Sequence, residues 1–574
     1  MIVGAFAASV MVASVFPFLS VLADPNIINR NAVLASIFRA LNFESNYSFL
    51  VFLGIIAIAV ILLANLVLVL QTWSLARYSE MRVHSISRKL LSHYLAQPYE
   101  SFLGQHTGDM STNILSEAYL LVQQFLRPLA ELISASLTVV AIVLTVIVID
   151  PLVSSIAIIT IGAVYGMVAI LSRRYVQLMG KRRAQANALR FRIAGEALGG
   201  IKDVKLLGRE LTYLDRFSAQ SELMAKAQIG VNVVAQSPRY AIQIVGFGGI
   251  VALCLVLLDP EGLQDRQALG GILPLVGLLA FAGQRLLPEL HRLYYSLTMM
   301  TSGTAALDSV YNVLANGQEV TQAPSTSPTH GLRNSLELNS VSYVYPNAKR
   351  AGLKDITLTI TAGERIGIVG PSGAGKTTLA DVLLGLLKPQ TGTLRADGIQ
   401  IESGNMRAWQ RSVGYVPQDI FLTDASLSEN IALGLRPAEI DAKKVERAAR
   451  IAQLHNFIEA ELPQGYATLI GERGVRLSGG QRQRIGIARA LYNDADLIVF
   501  DEATSALDNL TEREVIAAIE ALPGEKTIMM VAHRLSTVKV CDRILFLENG
   551  RVAGIGTWDE LVVSNSSFRD LSSV

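Results

Sequence analysis

Cysteine and charge are both scarce in this 574-residue sequence, and each shortage excludes a class of protein. Two cysteines are too few for a disulfide framework. Charged residues make up 17% of the chain, against about 25% in average soluble proteins, whereas hydrophobic residues make up 51%. The net charge of +2 gives no argument for binding to nucleic acid. This composition indicates a membrane protein rather than a secreted or nucleic-acid-binding one.

Long apolar runs predict six membrane spans in the first half of the chain. Residues 1–23 lack the basic start and the small-residue cleavage site of a signal peptide, so we interpret them as a span. Five more apolar stretches follow at 49–70, 129–149, 152–171, 242–258 and 268–282. These spans predict an all-α membrane domain over 1–315. A linker rich in Ser, Thr and Pro at 316–335 separates it from a second domain at 336–574.

Basic residues predict which ends of the spans face the cytosol. Segments 71–128 and 172–241 carry five and thirteen Lys plus Arg residues. The other three segments between spans, 24–48, 150–151 and 259–267, carry two, none and one. The two basic segments should therefore be cytosolic, and an even number of spans places both termini on the same side. Both segments keep helical periodicity and contain a break, after Gln97 and after Gly199, where we expect short crosswise helices.

Charged residues close to membrane depth are few: Glu131, Arg239, Arg285, Glu289 and Arg292. They could line a polar pathway. Alternatively, Arg285 and Glu289 could pair on one helix, and Glu131 and Arg239 could reach the interface. Arg285 and Arg292 are seven residues apart and share a helical face. With Arg239 they would give a dimer six cations, which suit an anionic diphosphate head group.

Residues 364–384 show the pattern of a strand, a glycine loop and a helix. Gly370, Gly373 and Gly375 allow backbone N–H groups to face an anion, and the helix that follows adds its positive dipole end. A plain glycine-rich turn is the alternative. The apolar strand before the loop and the amphipathic helix after it favour a phosphate-binding loop.

The residues that follow the loop glycines have separate predicted roles in nucleotide binding. Lys376 should reach the β- and γ-phosphates, and the hydroxyl of Thr377 should bind Mg²⁺. Ser372 and Thr378 complete the predicted contacts, although Thr378 is one residue too late to bind the metal. The expected cofactors are therefore ATP and Mg²⁺.

An apolar strand at 497–502 ends in two carboxylates, Asp501 and Glu502. In a parallel sheet the strand end lies beside the phosphate loop. Asp501 should hold Mg²⁺ through water, and Glu502 should polarise the attacking water. A strand that ends in two acids is common elsewhere, but its place in the same domain as a phosphate loop favours this catalytic interpretation.

Ser478, Gly479, Gly480 and Gln481 begin another helix and repeat the anion-binding pattern of the first loop. One chain gives a γ-phosphate no obvious need for two such sites. Two chains would resolve this, if each nucleotide lies between the Lys376 loop of one chain and the Ser478 loop of the other. The sequence therefore predicts a head-to-tail homodimer.

Taken in order, these motifs closely resemble ABC transporter nucleotide-binding domains over residues 336–574. The resemblance rests on the phosphate loop, Gln418, Leu-Ser-Gly-Gly-Gln at 477–481, Leu-Ile-Val-Phe-Asp-Glu at 497–502, Ser-Ala-Leu-Asp at 505–508, and His533. It implies that Tyr345 stacks on adenine, Gln418 senses Mg²⁺, Asp508 contacts the other subunit and His533 contacts the γ-phosphate. It also assigns Glu472 and Arg473 to contacts with the membrane half. Without the resemblance, Tyr345 could be a packed strand aromatic, Gln418 a turn residue and His533 a core histidine.

The six-span half resembles an exporter-type (type IV) membrane domain fused ahead of its ATPase. Three features are similar to bacterial flippases of lipid-linked oligosaccharides used in N-glycosylation: residues 24–25 with an outer amphipathic helix over Val33 to Leu41, the turn at 97–99, and residues 285–288 followed by Arg292. The resemblance implies a homodimer in the bacterial inner membrane that moves such a lipid or a related anionic lipid. The alternatives are an exporter of peptides, proteins or other lipids, and a non-transporting regulatory ABC ATPase.

Overall fold

Two compact units make up the chain. The computed structural model describes residues 1–149, 151–257, 266–315, 331–346, 348, 350–471, 474, 477–503, 509–532 and 534–572. Several residues within helices, among them Arg285, are described by their backbone alone. Residues 1–97 and 105–320 form the first unit, here called the helical unit. Residues 98–104 and 321–574 form the second, here called the sheet unit.

Long helices dominate the first half of the chain. The bounds are α1 (Ile2–Ala23), α2 (Ile27–Arg30), α3 (Ala32–Ala40), α4 (Asn46–Ala96), α5 (Tyr99–Leu103), α6 (Thr107–Ser111), α7 (Ala118–Leu121), α8 (Arg127–Ile149), α9 (Pro151–Gly199), α10 (Ile201–Leu206), α11 (Glu210–Leu257) and α12 (Arg266–Ala315). Two π-helical segments, Thr112–Glu117 and Val122–Leu126, flank α7. Helices α4, α9, α11 and α12 have 48 to 51 residues, well beyond the roughly 20 that cross a bilayer.

Three helical stretches among the described residues are long and apolar enough to cross a membrane: Ile2–Leu22, Asn46–Ala96 and Gly108–Thr145. They overlap the first three predicted spans. The other three predicted spans lie in α9, α11 and α12, where many side chains fall outside the described part of the chain. The short helices expected after Gln97 and Gly199 are α5 and α10.

The predicted outer helix over Val33 to Leu41 is confirmed as α3, and a single helical turn, α2, precedes it. Helix α2 ends at Arg30, and Asn31 starts α3 by accepting hydrogen bonds from the N–H groups of Val33 and Leu34 at 3.0 and 3.3 Å. An N-cap of this kind satisfies donors that the first helical turn leaves open. Leu34 is buried with Phe49 in one small apolar cluster.

Two sheets form the framework of the sheet unit within its described residues. The first has the order β2-β1-β4-β5 and is antiparallel; the second has the order β10-β9-β3-β8-β7-β6 and is parallel except at β10. The strands are β1 (Ser335–Tyr343), β2 (Leu353–Thr361), β3 (Arg365–Val369), β4 (Thr391–Ala396), β5 (Ile399–Gln400), β6 (Val413–Val416), β7 (Leu497–Asp501), β8 (Thr527–Val531), β9 (Arg543–Glu548) and β10 (Arg551–Gly556).

Helices cover the second sheet and bury its apolar strands. They are α13 (Lys376–Leu383), α14 (Met406–Gln410), α15 (Leu427–Ile431), α16 (Ala442–Ile451), α17 (His455–Glu461), α18 (Gly479–Tyr492), α19 (Asn509–Glu520), α20 (Trp558–Ser564) and α21 (Ser566–Ser572). Every residue of β7 and β8 is buried, as expected for parallel strands covered on both faces. β8 lies between β3 and β7 and pairs in parallel with both. The carboxyl ends of β3 and β7 therefore lie at one edge of the sheet, where α/β proteins bind ligands.

Strand β1 ends at Tyr343, whereas the alternation of apolar and polar residues that begins at Leu336 continues to Tyr345 and predicts a strand two residues longer. The pairing with β2 has register shifts on both sides of Val341 and stops where Tyr343 faces Leu353. The next residue, Val344, bonds instead to the side chain of Gln390, its N–H at 3.1 Å and its carbonyl at 2.9 Å. These bonds replace the strand ladder, and they leave Tyr345 beyond the strand.

Candidate nucleotide site and cavity

The loop between β3 and α13 requires glycine at three positions. Gly370, Gly373 and Gly375 have φ angles of +154°, +77° and +103°, which disfavour any residue with a Cβ atom. A Cβ at Gly370 would lie 2.1 Å from the carbonyl oxygen of Leu547, and one at Gly375 would lie 2.4 Å from that of Gly352. The concave backbone of this loop is therefore specified by its glycines.

Lys376 begins α13 and folds its side chain back over the loop. Its Nζ donates hydrogen bonds to the carbonyl oxygens of Gly370 at 2.8 Å and Pro371 at 3.2 Å. The side chain is only 5% exposed. Burial lowers the pKa of Lys376, and the negative charges of Glu502 and Asp501 oppose that shift. An ammonium group and a helix N-terminus thus face one cradle, which fits phosphate oxygens.

Asp501 is the last residue of β7 and is 8% exposed. The hydroxyl of Tyr415 donates to its Oδ2 at 3.3 Å, whereas its buried Oδ1 has no hydrogen-bond partner among the described residues. Burial and then the charge of Glu502 raise the pKa of Asp501, while Tyr415 and Lys376 lower it. A buried carboxylate oxygen without a donor fits a divalent cation or its bound water, and the exposed Thr377 offers a hydroxyl ligand.

Glu502 follows directly and adopts an unusual backbone conformation. Its φ of +50° lies in the left-handed region, which non-glycine residues rarely occupy. Its N–H still donates to the carbonyl of Val531 at 2.9 Å, as if β7 continued by one residue. Backbone strain of this kind is concentrated at functional sites. Here it places a half-buried carboxylate just past the strand end.

Ser478 caps the N-terminus of α18. Its Oγ accepts from the N–H of Gln481 at 3.2 Å, and Gln481 Oε1 accepts from the N–H of Ser478 at 2.8 Å. This capping box satisfies the backbone N–H of Gln481, the third residue of the helix. The N–H groups of Gly479 and Gly480, in the first turn, have no partner inside the helix because no carbonyl lies four residues before them in it. Ser478 itself is exposed. The helix start therefore keeps donors available for an anion.

Gln418 lies two residues after β6 and is exposed. Its carbonyl oxygen accepts a hydrogen bond from Nε2 of Gln483 at 2.8 Å. Gln483 lies in α18, so this bond connects the segment after β6 to the helix that Ser478 caps. The sequence pattern did not indicate this contact, because a glutamine inside a helix has no distinctive spacing.

Tyr345 is half-buried, and its hydroxyl lies 3.1 Å from Oγ1 of Thr378. This contact places the predicted base-stacking residue beside the first turn of α13. Ser372 is exposed within the loop. Four other predicted residues lie outside the described part of the chain: Asp508, His533, Glu472 and Arg473.

Asp381 is an acidic residue near the site that sequence reasoning missed. It lies on α13, five residues after Lys376, and its side chain is 7% exposed. Burial and then the charge of Asp501 raise its pKa to about 6. The available signal was an acidic side chain in a helix whose other residues from Thr378 to Leu383 are apolar or buried.

A cavity of about 540 Å³ lies in the helical unit and brings together three of the charged residues predicted to line a polar pathway. Its lining is Glu131, Tyr165, Arg239, Gln243, Gln284, Leu287, Pro288, His291, Arg292 and Tyr295. Arg239 and Arg292 are both on this wall, as is Glu131. The side chain of Arg285 lies outside the described residues. The uncharged polar residues of the lining are not distinguished by charge, so the sequence pattern does not reveal them.

Ion pairs partly neutralise the charges around this cavity. Arg292 Nη1 lies 3.1 Å from Oε2 of the buried Glu289, three residues before it. Arg127 Nε lies 3.0 Å from Oε1 of Glu131. Among the described residues, Arg239 has no ion-pair partner. Arg292 is a described partner of Glu289, and the alternative pairing of Glu289 with Arg285 involves a side chain outside the described residues.

A phosphate cradle, a buried carboxylate at a neighbouring strand end and a fused bundle of long apolar helices define a membrane-bound nucleotide hydrolase. Comparison with protein families narrows this class. The model described as "ABC transporter" matches residues 353–505, and that described as "ABC transporter transmembrane region" matches residues 5–257.

The chain belongs to the ABC transporter family, as an exporter whose transmembrane domain precedes an ATPase domain, and it couples ATP hydrolysis to transport. One relative, the ATP-dependent lipid A-core flippase of Cupriavidus metallidurans, is 32% identical over 466 residues, which are 80% of this chain and 76% of the relative. A protein of the same name from Alkalilimnicola ehrlichii is 35% identical over 419 residues, 71% of this chain and 68% of the relative.

The fold has a solved counterpart in a bacterial Atm1-family ABC exporter with ATP bound. The match has a TM-score of 0.75 and 23% identity, and it covers 99% of this chain and 96% of the other. This confirms the predicted fold class, a helical transmembrane domain followed by an α/β ATP-binding domain. The resemblance to oligosaccharide-lipid flippases is approximate, since the relatives above are lipid A-core flippases.

Replacement of Asp381 by Asn should stabilise the protein at pH 7.5 and have little effect at pH 4. The folded-state pKa of about 6 exceeds the ordinary value of 3.8, so ionisation opposes folding as the pH rises from 4 through 6. The gain at pH 7.5 should be about 1–3 kcal/mol, measured as a higher Tm of the nucleotide-free protein.

Asp397→Asn is the control of opposite sign. Burial raises the pKa of Asp397, but hydrogen bonds from the N–H groups of Arg333, Asn334 and Ser335 lower it, and the net shift is downward. This variant should lose stability at pH 7.5. An Asp381→Asn protein whose Tm change is equal at both pH values would contradict the elevated pKa.

Proposed function

We propose that a homodimer of this chain uses ATP and Mg²⁺ to flip an amphipathic lipid with an anionic, phosphorylated head group across the bacterial inner membrane. Lipid-linked oligosaccharides and the lipid A core named for the relatives share this head-group chemistry. The ATPase domain and both termini face the cytosol, as the basic segments 71–128 and 172–241 indicate.

The cavity of the helical unit is the observation that carries the substrate proposal. Arg239 and Arg292 share its wall with the polar side chains of Gln243, Gln284 and His291. Guanidinium groups at membrane depth are costly unless they are paired or solvated, and their planar donors match phosphate oxygens. Leu287 adds apolar surface to the same wall, which suits a lipid that carries both a charged head and a hydrocarbon tail.

Charge around the cavity supports an anion rather than a cation as the ligand. Arg127 offsets Glu131, and Glu289 offsets Arg292, which leaves Arg239 as the uncompensated charge among these residues. An arriving phosphate would add a second acceptor for Arg292, which is half-exposed beside the buried Glu289. Net attraction for an anion follows from this excess of one positive charge.

At the nucleotide site, the roles follow from the positions of the side chains. The Lys376 ammonium and the loop N–H groups hold the phosphates, while Thr377 and Asp501 would hold Mg²⁺. The metal neutralises charge on the β- and γ-phosphate oxygens when it is bound. Glu502 orients and polarises the attacking water from the end of β7. Tyr345 stacks on the adenine.

Two anion-binding helix starts on one chain support the homodimer. The N-termini of α13 and α18 each present backbone donors, and both would serve one nucleotide if two copies face each other head to tail. Nucleotide held between two subunits binds only the closed dimer well, so ATP shifts the population toward closure and hydrolysis reverses it.

Replacement of Glu502 by Gln should preserve ATP affinity and lower the hydrolysis rate at least ~10²-fold, because the amide cannot accept a proton from the water. Radiolabelled ATP binding and phosphate release in the purified dimer measure the two quantities. Glu514→Gln, which removes a surface carboxylate paired with Arg484, is the matched control and should hydrolyse ATP normally. Near-normal turnover by the Glu502 variant would reject its role.

Mixing two inactive variants tests the shared site. Ser478→Arg and Lys376→Ala should each inactivate a homodimer, because every composite site then carries the same defect. A mixed dimer has one intact site and should recover part of the ATPase activity. Complete absence of recovery, with subunit exchange demonstrated by two affinity tags, would argue against the head-to-tail arrangement.

Substitution of Arg239 or Arg292 by Ala should lower the flipping of a labelled lipid-linked diphospho-oligosaccharide roughly 10- to 100-fold, the size expected for lost charge-assisted hydrogen bonds. Lys should restore only part of the rate, because it lacks the planar fork of Arg. A labelled lipid A core is tested in parallel in the same vesicles. ATP binding should be unchanged.

Arg216→Ala is the control, since Arg216 lies on α11 like Arg239 but pairs with Glu196 at an exposed position. It should transport normally. An uncharged glycolipid that the wild-type protein flips as fast as the diphosphate, or full transport by both Ala variants, would show that these arginines serve packing and pairing alone.

A further inference from the structure

A short piece of the first half of the chain is packed into the sheet unit. Residues 98–104 connect α4, which ends at Ala96, to α6, which begins at Thr107, yet they cluster with the sheet unit. Helix α5 occupies this segment. Its contacts with the sheet unit are therefore continuous, through the backbone, with two helices of the helical unit.

The strongest polar contact of α5 is with a buried tyrosine. The hydroxyl of Tyr343 donates to Oε1 of Glu100 at 2.6 Å, and Tyr343 is 1% exposed. Burial and then this hydrogen bond raise the pKa of Tyr343, so its hydroxyl stays protonated and remains a donor at physiological pH. Hydrogen bonds to an ionised acceptor are shorter and stronger than neutral ones.

Tyr343 also touches the residue to which we assign base stacking. Its ring meets that of Tyr345 edge to face, with centroids 5.1 Å apart and an interplanar angle of 90°. The Tyr345 hydroxyl lies 3.1 Å from Oγ1 of Thr378, in the first turn of α13. A Cβ at Gly352 would come within 3.3 Å of both Thr378 and Tyr345, which shows how closely these groups are packed.

We propose that Glu100 and Tyr343 make α5 a sensor of the nucleotide base, so that a purine stacked on Tyr345 anchors α5 whether or not a γ-phosphate is present. A base stacked on Tyr345 limits the rotation of that ring. The edge-to-face contact then limits Tyr343, and the hydrogen bond holds Glu100. Tyr343 and Glu100 are positioning residues in this scheme, and neither touches the nucleotide. The inference rests on the stacking role proposed above for Tyr345.

Thermodynamic linkage makes this inference quantitative. If base binding stabilises the anchored form of α5, then the anchored form must bind the base more tightly by the same factor. Loss of the Tyr343 hydroxyl should therefore lower the affinities for ADP and ATP by the same factor. It should leave tripolyphosphate unaffected, because that ligand fills the loop between β3 and α13 and has no base.

The test is hydrogen exchange of the α5 amides in the full-length protein in lipid nanodiscs, without ligand and with saturating Mg-ADP, a non-hydrolysable Mg-ATP analogue or Mg-tripolyphosphate. ADP and the ATP analogue should slow exchange equally, by about 3- to 10-fold, and tripolyphosphate should not. Tripolyphosphate that slows exchange as much as ADP does would overturn the proposal.

Tyr343→Phe removes the donor and Glu100→Met removes the oxygen acceptor, and each variant keeps roughly the size of the side chain. Both variants should lose the ADP-dependent protection, and their ADP affinity should fall by about the same 3- to 10-fold. Tripolyphosphate affinity should stay at the wild-type value. Tyr466→Phe, which deletes a hydroxyl bonded to His455 at 2.8 Å elsewhere in the sheet unit, should change neither quantity.

Tyr345→Ala distinguishes the stacking role of Tyr345 from the sensor role of α5. Unchanged ADP affinity in this variant would remove the stacking role and the sensor together. Weakened ADP binding in Tyr345→Ala, combined with wild-type protection in Tyr343→Phe, would overturn the sensor alone. No lipid substrate enters these measurements, so failure of the proposed flipping activity would leave their outcome unaffected.

Discussion

Close backbone contacts around the loop between β3 and α13 constrain the rest of the nucleotide site. Gly370 lies against the carbonyl of Leu547, and Gly375 lies against that of Gly352, with no room for a Cβ at either position. The N–H of Gly550, in the turn between β9 and β10, also donates to the loop at 3.0 Å. Two separate chain segments, one at Gly352 and one from Leu547 to Gly550, thus hold the loop in its concave shape. The backbone N–H donors of this preorganised loop can bind phosphate without the free-energy cost of first ordering the loop.

Charge around that loop favours a bound cation. The carboxyl groups of Asp501, Glu502 and Asp381 are near a single ammonium, that of Lys376. Burial raises the pKa of both aspartates, which reflects the cost of several negative charges in a poorly solvated place. Oδ1 of Asp501, which has no hydrogen-bond partner within the described part of the chain, shows the same deficit of positive charge and donors. A divalent cation bound together with ATP would offset this excess of negative charge, because such an ion is the largest local charge in a site of this kind.

In the helical unit, the carboxylates near the cavity form ion pairs with arginines. Each carboxylate near the cavity has an arginine partner on its own helix, Arg127 for Glu131 and Arg292 for Glu289. Pairs three or four residues apart form readily on a helix and lower the cost of charge at membrane depth. Around the nucleotide loop, by contrast, three acidic side chains lie near the one ammonium of Lys376.

Local pattern alone determined the order of the elements, the membrane character of the first half, and the strand, loop and helix around Lys376. These features depend on neighbours in sequence: apolar runs for spans, alternation for strands, and glycines for the loop. The end of β1 at Tyr343, the additional helical turn α2 before the outer helix and the contact of Gln418 with Gln483 were decided by the tertiary structure. So were the elevated pKa of Asp381, the pairing of Glu289 with Arg292 and the reach of Glu100 to Tyr343. Each of these depends on burial or on a partner that competes for the same group, and spacing along the chain does not specify which partner is nearest in space.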